Sequence, residues 1–566
     1  MTLSGLVTER ALANPDRECI VDVSRTWTYA EAALAIEQHC AALVAAGVRK
    51  GDRVGVHFNK SAEGFVAMHA AVSVGAIAVP LDPASPVSRL ARICEQMQIS
   101  VVSSHTPRKK SLEALHEKHP LRALLGADVA LDGCDNVDAD AIAMLDGQSP
   151  VLVSPDDFAY IVTTSGSTGE PKGIVHSHAS GRSYADMTVN TFGLDESDRV
   201  SDISPHHFDI SCYSLWATPL VGATNIVVNE AYQRLPASHS QLLVDQRVTV
   251  WYSVPFLLQQ LVRRGDLTNR NLEMLRWVHF AGEVLAADVV VTMMEHCPNA
   301  RFVNIFGPAE TNHVTHAIFD APPEIGVMLP AGVPIDGATI RIVDPEAEEP
   351  LLEHLVAVGE VGEMWTATPQ LMAGYWQNDA ANERSLKEVD GLCFYRSGDL
   401  MSRNEAGDLS FHGRTDHQVK LRGYRIELEG IESELESLVR EMGSAENVVV
   451  SIRRQTSGED ELVAGILGST PSFDDAEFTQ RAASVVPAYA VPTRTIQLES
   501  PAFTGSGKLD RRTLRETTVQ LLEDTSLKDT SLKDTSLKDT SLKDTSLKDT
   551  SLKDTSLKDT SLKDTV

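Results

Sequence analysis

Cysteine is sparse and unpatterned: seven residues stand at 19, 40, 94, 134, 212, 297 and 393, with no CxxC pair. An odd, scattered set excludes a disulfide framework and offers no zinc-site spacing, so a reducing, cytoplasmic setting is expected. Positive charge is also short. Lys and Arg number 50 against 79 Asp and Glu, a formal charge of -29. So acidic a chain lacks the clustered cations that displace counterions from nucleic acid. Long hydrophobic runs are missing too: the longest, Phe65 to Leu81, is broken by His69, Ser73 and Pro80. The opening "MTLSGLVTERALANPDRE" lacks the basic region and apolar core of an export signal. Neither a membrane nor a nucleic acid is expected as a partner. What is present, 566 residues with 42% hydrophobic and 23% charged, reads as a globular chain of more than one domain.

From about residue 50 to 310, β-rich and helical runs alternate. "RVGVHF", "AEGFVAMHAAVSVG" and "AIAVPL" set a rhythm that recurs through "VTVWYSVP", "FLLQQLVRRG", "RWVHFAG", "AADVVVTMMEHC" and "ARFVNIFG". Such alternation predicts α/β architecture with doubly wound, largely parallel sheets, in which ligands sit beyond the C-terminal strand ends. Residues 330–412 instead give short strands between Gly and Asp turns, a β-rich lobe. After Gly413 comes a smaller α+β segment, in which Leu428, Ile431, Leu435 and Leu438 form one helical stripe.

The stretch "TTSGSTGEPKG", Thr163 to Gly173, follows the apolar run Phe158 to Val162. Its glycines permit close approach of backbone N–H groups and its hydroxyls add donors, so it can wrap a phosphate; a flexible surface turn is the other reading. It is no Walker loop, because Lys172 precedes Gly173 and that motif needs Gly-Lys-Ser/Thr.

Five further motifs follow in order: "HFDIS" at 207–211, "NIFGPAET" at 304–311, "YRSGDL" at 395–400, "GRTDHQVKLRGYRIE" at 413–427 and "TGSGKLDRR" at 504–512. Together with the glycine loop they resemble the adenylate-forming superfamily of amino-acid adenylation domains, acyl- and aryl-CoA synthetases and luciferases, across roughly residues 1–515. The resemblance implies a large adenylation core at 1–413, a small mobile α+β domain at 414–520 and a hinge at Asp416. It implies ATP and Mg²⁺ as cofactors. Thr164, Ser165, Gly166, Ser167, Thr168 and Gly169, with Lys172, would meet the departing phosphates, Glu310 would hold Mg²⁺, and Lys508 would reach the α-phosphate and substrate carboxylate. Asn304, Ile305, Phe306, Gly307, Pro308 and Ala309 would line the adenine. Asp399 and Arg414 would take the ribose side, flanked by Phe411, His412 and Gly413. Phe306 and Ala309 stand where the family usually carries Tyr and Thr.

Substrate choice rests on Asp209, which in amino-acid-activating members meets the α-ammonium. Several segments look most like stand-alone amino acid:carrier-protein ligases, such as those for L-proline and D-alanine. By that resemblance the pocket comprises Asp209, Ile210, Tyr213, Tyr252, His279, Ala281, Ile305, His313 and Val314. Tyr252, Ala281 and the aliphatic residues suit a small neutral amino acid, L-proline above others, whereas His279 and His313 suit a polar side chain. No segment after Lys508 resembles a carrier domain, so a separate phosphopantetheinylated carrier is the expected acceptor. "QVKLRGYRIE" would face the site during that second step. An acyl- or aryl-CoA synthetase and a silent nucleotide-binding homologue are the alternatives. The adjacent His206 and His207, read as strand neighbours, would point to opposite faces and hold no metal.

Residues 521–566 are assigned to a tail in which Asp524 to Lys563 repeats "DTSLK" eight times. A five-residue period turns Leu by roughly 140° per repeat on a helix, so no apolar stripe forms and disorder is expected. Deleting Asp524 to Val566 should therefore leave melting temperature and catalysis unchanged, which thermal unfolding and activity assays of the truncated chain would check.

Overall fold

The β-rich runs of the first 334 residues assemble into two large sheets. The computed structural model describes residues 1–165, 170–455, 460–470, 473–503 and 509–524; most of the repeat tail lies outside them. In the first sheet the strands Arg53–His57, Ile77–Pro80, Val101–Ser104, Ala123–Gly126, Asp135–Asp138 and Phe158–Ser165 run parallel, and Pro171–Ser177 returns antiparallel. Ile77–Pro80 is buried along its whole length, as a central strand covered on both faces must be. The second sheet has nine strands. Its six parallel members are Glu18–Val21, Thr224–Val227, Arg199–Asp202, Val250–Ser253, Trp277–Ala281 and Arg301–Phe306.

Between the sheets lies the helix Ala62–Ser73, started by Ser61, whose hydroxyl accepts from Gly64 N–H. Every residue of it but Glu63 is buried, and it shares a core with strands of both sheets. The β-rich lobe is a five-stranded antiparallel sheet built on the long strand Leu392–Arg403.

The C-terminal portion opens with a hairpin, Gln418–Leu421 paired to Tyr424–Glu427. Helix Leu428–Met442 follows, burying Leu428, Ile431, Leu435 and Leu438, the stripe expected from their spacing, and ends at left-handed Gly443. It packs on a three-stranded sheet of Asn447–Arg453, Glu461–Leu467 and Arg494–Leu498. Two carboxylates, Glu432 and Glu436, are buried on this helix. The Glu432 carboxylate accepts from Arg515 at 2.9 Å through both oxygens, from Arg511 at 2.9 Å and from Val450 N–H at 2.8 Å.

Removing one partner of so buried a network strands the others without counter-charge, at a cost of about 3–5 kcal/mol. Glu432→Ala should therefore unfold the C-terminal portion at markedly lower urea concentration than wild type, with Glu432→Gln between them, as followed by circular dichroism and by protease cleavage after residue 414.

Candidate active site

The parallel strands of the second sheet point their C-terminal ends at a crevice, where described parts of most of the segments singled out by sequence meet; Arg511, of the last segment, lies instead on Glu432 in the C-terminal core. Asn304 and Phe306 close the strand Arg301–Phe306, and Asn304 donates to Pro330 O at 2.7 Å. Gly307 then enters a tight loop where a Cβ would lie 1.7 Å from Asn312 O, so only glycine fits. The loop is anchored from outside its own sheet: His176 Nε2 meets Ala309 O at 2.9 Å, and Met372 N–H donates to Glu310 O at 2.8 Å. Glu310 is 1% exposed and accepts from the Tyr375 hydroxyl at 2.8 Å.

The glycine loop joins antiparallel strands, with Thr164 opposite Lys172. It is a hairpin connection rather than the strand-to-helix turn of a nucleotide-binding βαβ unit. Gly166, Ser167, Thr168 and Gly169, the side chain of Ser165, and Lys508 lie outside the described residues. Lys172 reaches toward Tyr375, its Nζ 5.9 Å from the ring centre.

The C-terminal hairpin occupies the crevice. Its two-residue turn places Arg422 at φ 54° and Gly423 at φ 83°, the left-handed pair of a tight hairpin. Gly423 N–H donates to Glu283 at 2.8 Å, and a Cβ there would stand 2.6 Å from Val254. Alternation divides the hairpin's side chains: Leu421 and Ile426 join the small-domain core, while the cross-strand pair Lys420 and Arg425 faces the crevice. Arg425 Nη1 lies 2.7 Å from Glu310 Oε2, and Lys420 Nζ is 5.8 Å from the Phe306 ring centre. Burial alone would raise the Glu310 pKa, but the Arg425 guanidinium and the Tyr375 hydroxyl outweigh it and hold the carboxyl at about 2. At the rim, Arg414 bridges Asp399 at 2.5 Å and Asp416 at 2.7 Å.

Deeper in, Tyr252, His279, Ala281 and Ile305 lie side by side on neighbouring strands. Tyr213 and Phe192 pack over them, with ring centres 5.6 Å and 4.3 Å from His279. At the mouth stands half-buried Asp209, whose carboxylate accepts from Ile210 N–H at 2.9 Å and makes no ion pair among the described residues. Burial pushes its pKa up, partly offset by Lys420. The described part of the nucleotide and substrate set thus gathers around one crevice, with two exceptions. Val314 packs into the β-lobe core with Ile340, Met364 and Met401, and His412 is exposed, bonded to Ser402 at 2.8 Å. His206 and His207 stand in a turn, not on a strand, because Asp202 ends the strand before them. No group of three or more metal-type ligands occurs among the described residues.

The family model described as AMP-binding enzyme matches residues 7–376. The chain belongs to this family. It is an adenylate-forming enzyme, similar to a linear gramicidin synthase of Brevibacillus parabrevis, with 31% identity over 506 residues. That match covers 88% of this chain and 6% of the synthase. Its likeness to "L-proline--[L-prolyl-carrier protein] ligase" of Pseudomonas fluorescens is 28% over 501 residues, covering 88% of this chain and 95% of the ligase. The fold matches the adenylation domain AlmE of Vibrio cholerae, solved with glycyl-adenosine-5'-phosphate, at a TM-score of 0.77 and 23% identity, covering 92% of this chain and 97% of that one.

In this AMP-binding enzyme Tyr375 and Glu283 are crevice residues that the motifs did not single out, whereas Lys420 and Arg425 belong to the segment expected to face the site. The hairpin pair was readable: in "QVKLRGYRIE" the turn Arg-Gly puts Lys420 opposite Arg425 on the face away from Leu421 and Ile426. Tyr375 and Glu283 arrive from other elements and carry no local signal.

Arg425→Gln should undock the hairpin, because breaking a buried pair costs about 3 kcal/mol or more. The sign with pH follows from Glu310's lowered pKa: the pair stabilises docking above the ordinary carboxylate value of about 4.3 and loses that contribution as pH falls through the folded value. At pH 7 the variant should be cleaved by thermolysin between residues 413 and 424 at least about ten-fold faster than wild type, by the same energetic argument.

Proposed function

We propose that the chain activates a small neutral amino acid with ATP, releasing pyrophosphate, and then transfers the aminoacyl group to the phosphopantetheine thiol of a separate carrier protein. The observation that carries this reading is Asp209, a carboxylate at the pocket mouth without an ion pair among the described residues. A desolvated carboxylate is costly unless a cation joins it, and an α-ammonium supplies that cation.

Activation brings a carboxylate and an α-phosphate together, so cations and preorganised donors must offset their repulsion. Lys172 and the glycine loop would take the leaving phosphates, and Lys508 the α-phosphate and the substrate carboxylate. Asp399 and Arg414 would hold the ribose, and Asn304 to Ala309, with Phe306, the adenine. Glu310 suits Mg²⁺ because that ion takes one or two carboxylates and completes its shell with phosphate oxygens and water, where it would neutralise phosphate charge. Its carboxylate is engaged by Arg425 and Tyr375 here, so it serves a metal only once the hairpin withdraws.

The docked hairpin therefore suits the second half-reaction, after pyrophosphate has left, with rotation about Asp416 exchanging it for the Lys508 segment. L-proline is the first amino acid to try, supported by Tyr252 and Ala281 in the pocket and by the likeness to the L-proline ligase.

The test is ATP–pyrophosphate exchange with the preferred amino acid and its des-amino analogue. Asp209→Ala should weaken amino-acid use by about 2–5 kcal/mol, the penalty for an unpaired buried charge, while sparing ATP use. Wild-type preference for the des-amino acid, or thioester formation with free CoA but with no pantetheinylated carrier, would replace this reading with an acyl- or aryl-CoA synthetase.

A further inference from the structure

Polar atoms at the base of the pocket are left without partners. His279 is 0% exposed, and neither its Nδ1 nor its Nε2 has a hydrogen-bond partner among the described residues. Tyr213, 2% exposed, has an equally unpartnered hydroxyl, and the two rings stand 5.6 Å apart. Native interiors satisfy nearly all such groups, and an orphaned donor or acceptor in a buried site points to a ligand that completes it. The neighbouring groups are already satisfied: Trp277 Nε1 donates to Phe192 O at 2.9 Å, and His313 Nε2 meets His316 Nδ1 at 3.3 Å. Other buried polar atoms lack partners among the described residues as well, Thr188 Oγ1 and the Asn312 amide among them; His279 and Tyr213 are two whose rings meet in the same place.

Position along the strand sets the depth. Ala281 lies at the ligand end of Trp277–Ala281 and His279 two residues before it, roughly 6.6 Å deeper at 3.3 Å per residue. A short side chain, held by its ammonium at Asp209 and passing Ala281, ends near the orphaned atoms. Charge is balanced at that depth. Asp198 is bound to Arg276 through both oxygens, at 2.7 and 2.5 Å, so neither a free carboxylate nor a free cation waits there among the described residues. Burial keeps His279 neutral, its pKa lowered to about 3. A neutral imidazole offers one donor and one acceptor, and a tyrosine hydroxyl offers both.

We infer that His279 and Tyr213 select an amino acid whose short side chain carries a neutral group able to donate and accept hydrogen bonds, a hydroxyl or carboxamide, over an apolar side chain of the same shape. This rests on the amino-acid-activating reading above and narrows it, moving the preference away from L-proline. A site built to pair with a substrate hydroxyl or amide rejects the analogue lacking it, because its own polar groups are then stranded.

The experiment is ATP–pyrophosphate exchange by the full chain with all proteinogenic amino acids, read as kcat/KM and including the near-isosteric pairs Thr/Val and Asn/Leu. The expected best substrate carries a hydroxyl or carboxamide and exceeds its apolar isostere by at least about 10²-fold. Tyr213→Phe and His279→Leu should each shrink that ratio at least about ten-fold, mainly by admitting the apolar member, with KM for ATP unchanged. A wild-type preference for proline, valine, leucine or a charged residue overturns the inference while leaving amino-acid activation standing. Exchange with des-amino acids and with no amino acid overturns the underlying reading, and this inference with it. Should His279→Leu fail to fold, the wild-type ratio and the isosteric Tyr213→Phe decide the matter.

Discussion

Glu310 and Arg425 meet inside a crevice that neither the large N-terminal portion nor the C-terminal one encloses alone, and the relative placing of the two hangs on that contact. The large portion supplies the carboxylate on a loop fixed by His176 and Met372, and the small one supplies the guanidinium on a hairpin fixed by its turn. Around the pair, Gly423 bonds to Glu283, Ser88 reaches Ser484 O at 3.2 Å, and Arg92 pairs with Glu434. Coulombic gain in such a pair is largely offset by desolvation. Under the proposed exchange of states, that near-balance would suit a contact that is made and unmade, since a purely apolar interface of the same area would hold more firmly and discriminate less between charged occupants.

Local pattern carried much of this fold. Alternation predicted the parallel sheets, and the leucine spacing predicted helix Leu428–Met442. What escaped were meetings between distant elements: Glu310 and Arg425 are 115 residues apart in sequence, and Tyr375 and Glu283 reach the crevice from segments with no periodic signature. Val314 and His412 are placed differently from the other described residues of the expected set. Both neighbour motif residues in sequence, yet one packs into the β-lobe and the other turns to solvent, because adjacent positions on an extended chain face opposite ways. The phosphate loop and Lys508 carry much of the proposed chemistry from positions outside the described residues.

Histidine plays mostly a packing part. His69 bonds to Leu215 O at 2.9 Å and His39 to the Ser103 hydroxyl at 2.8 Å, each buried with its pKa pushed down, to about 3 and about 4. These imidazoles close local hydrogen-bond accounts within the core. His279 shares their burial, but like His206 it has neither ring nitrogen partnered among the described residues.

The helix Ala62–Ser73 has an implication for how the molecule comes apart. Because its residues are the common core of both large sheets, neither sheet can lose its packing while the other keeps a complete interior. The two sheets form a single cooperative unit despite their separate strand sets, whereas the C-terminal portion, with its own apolar clusters around Leu435 and Leu467, can melt by itself. The apolar interior is thus divided differently from the sheets, with the break between those clusters rather than between the two layers.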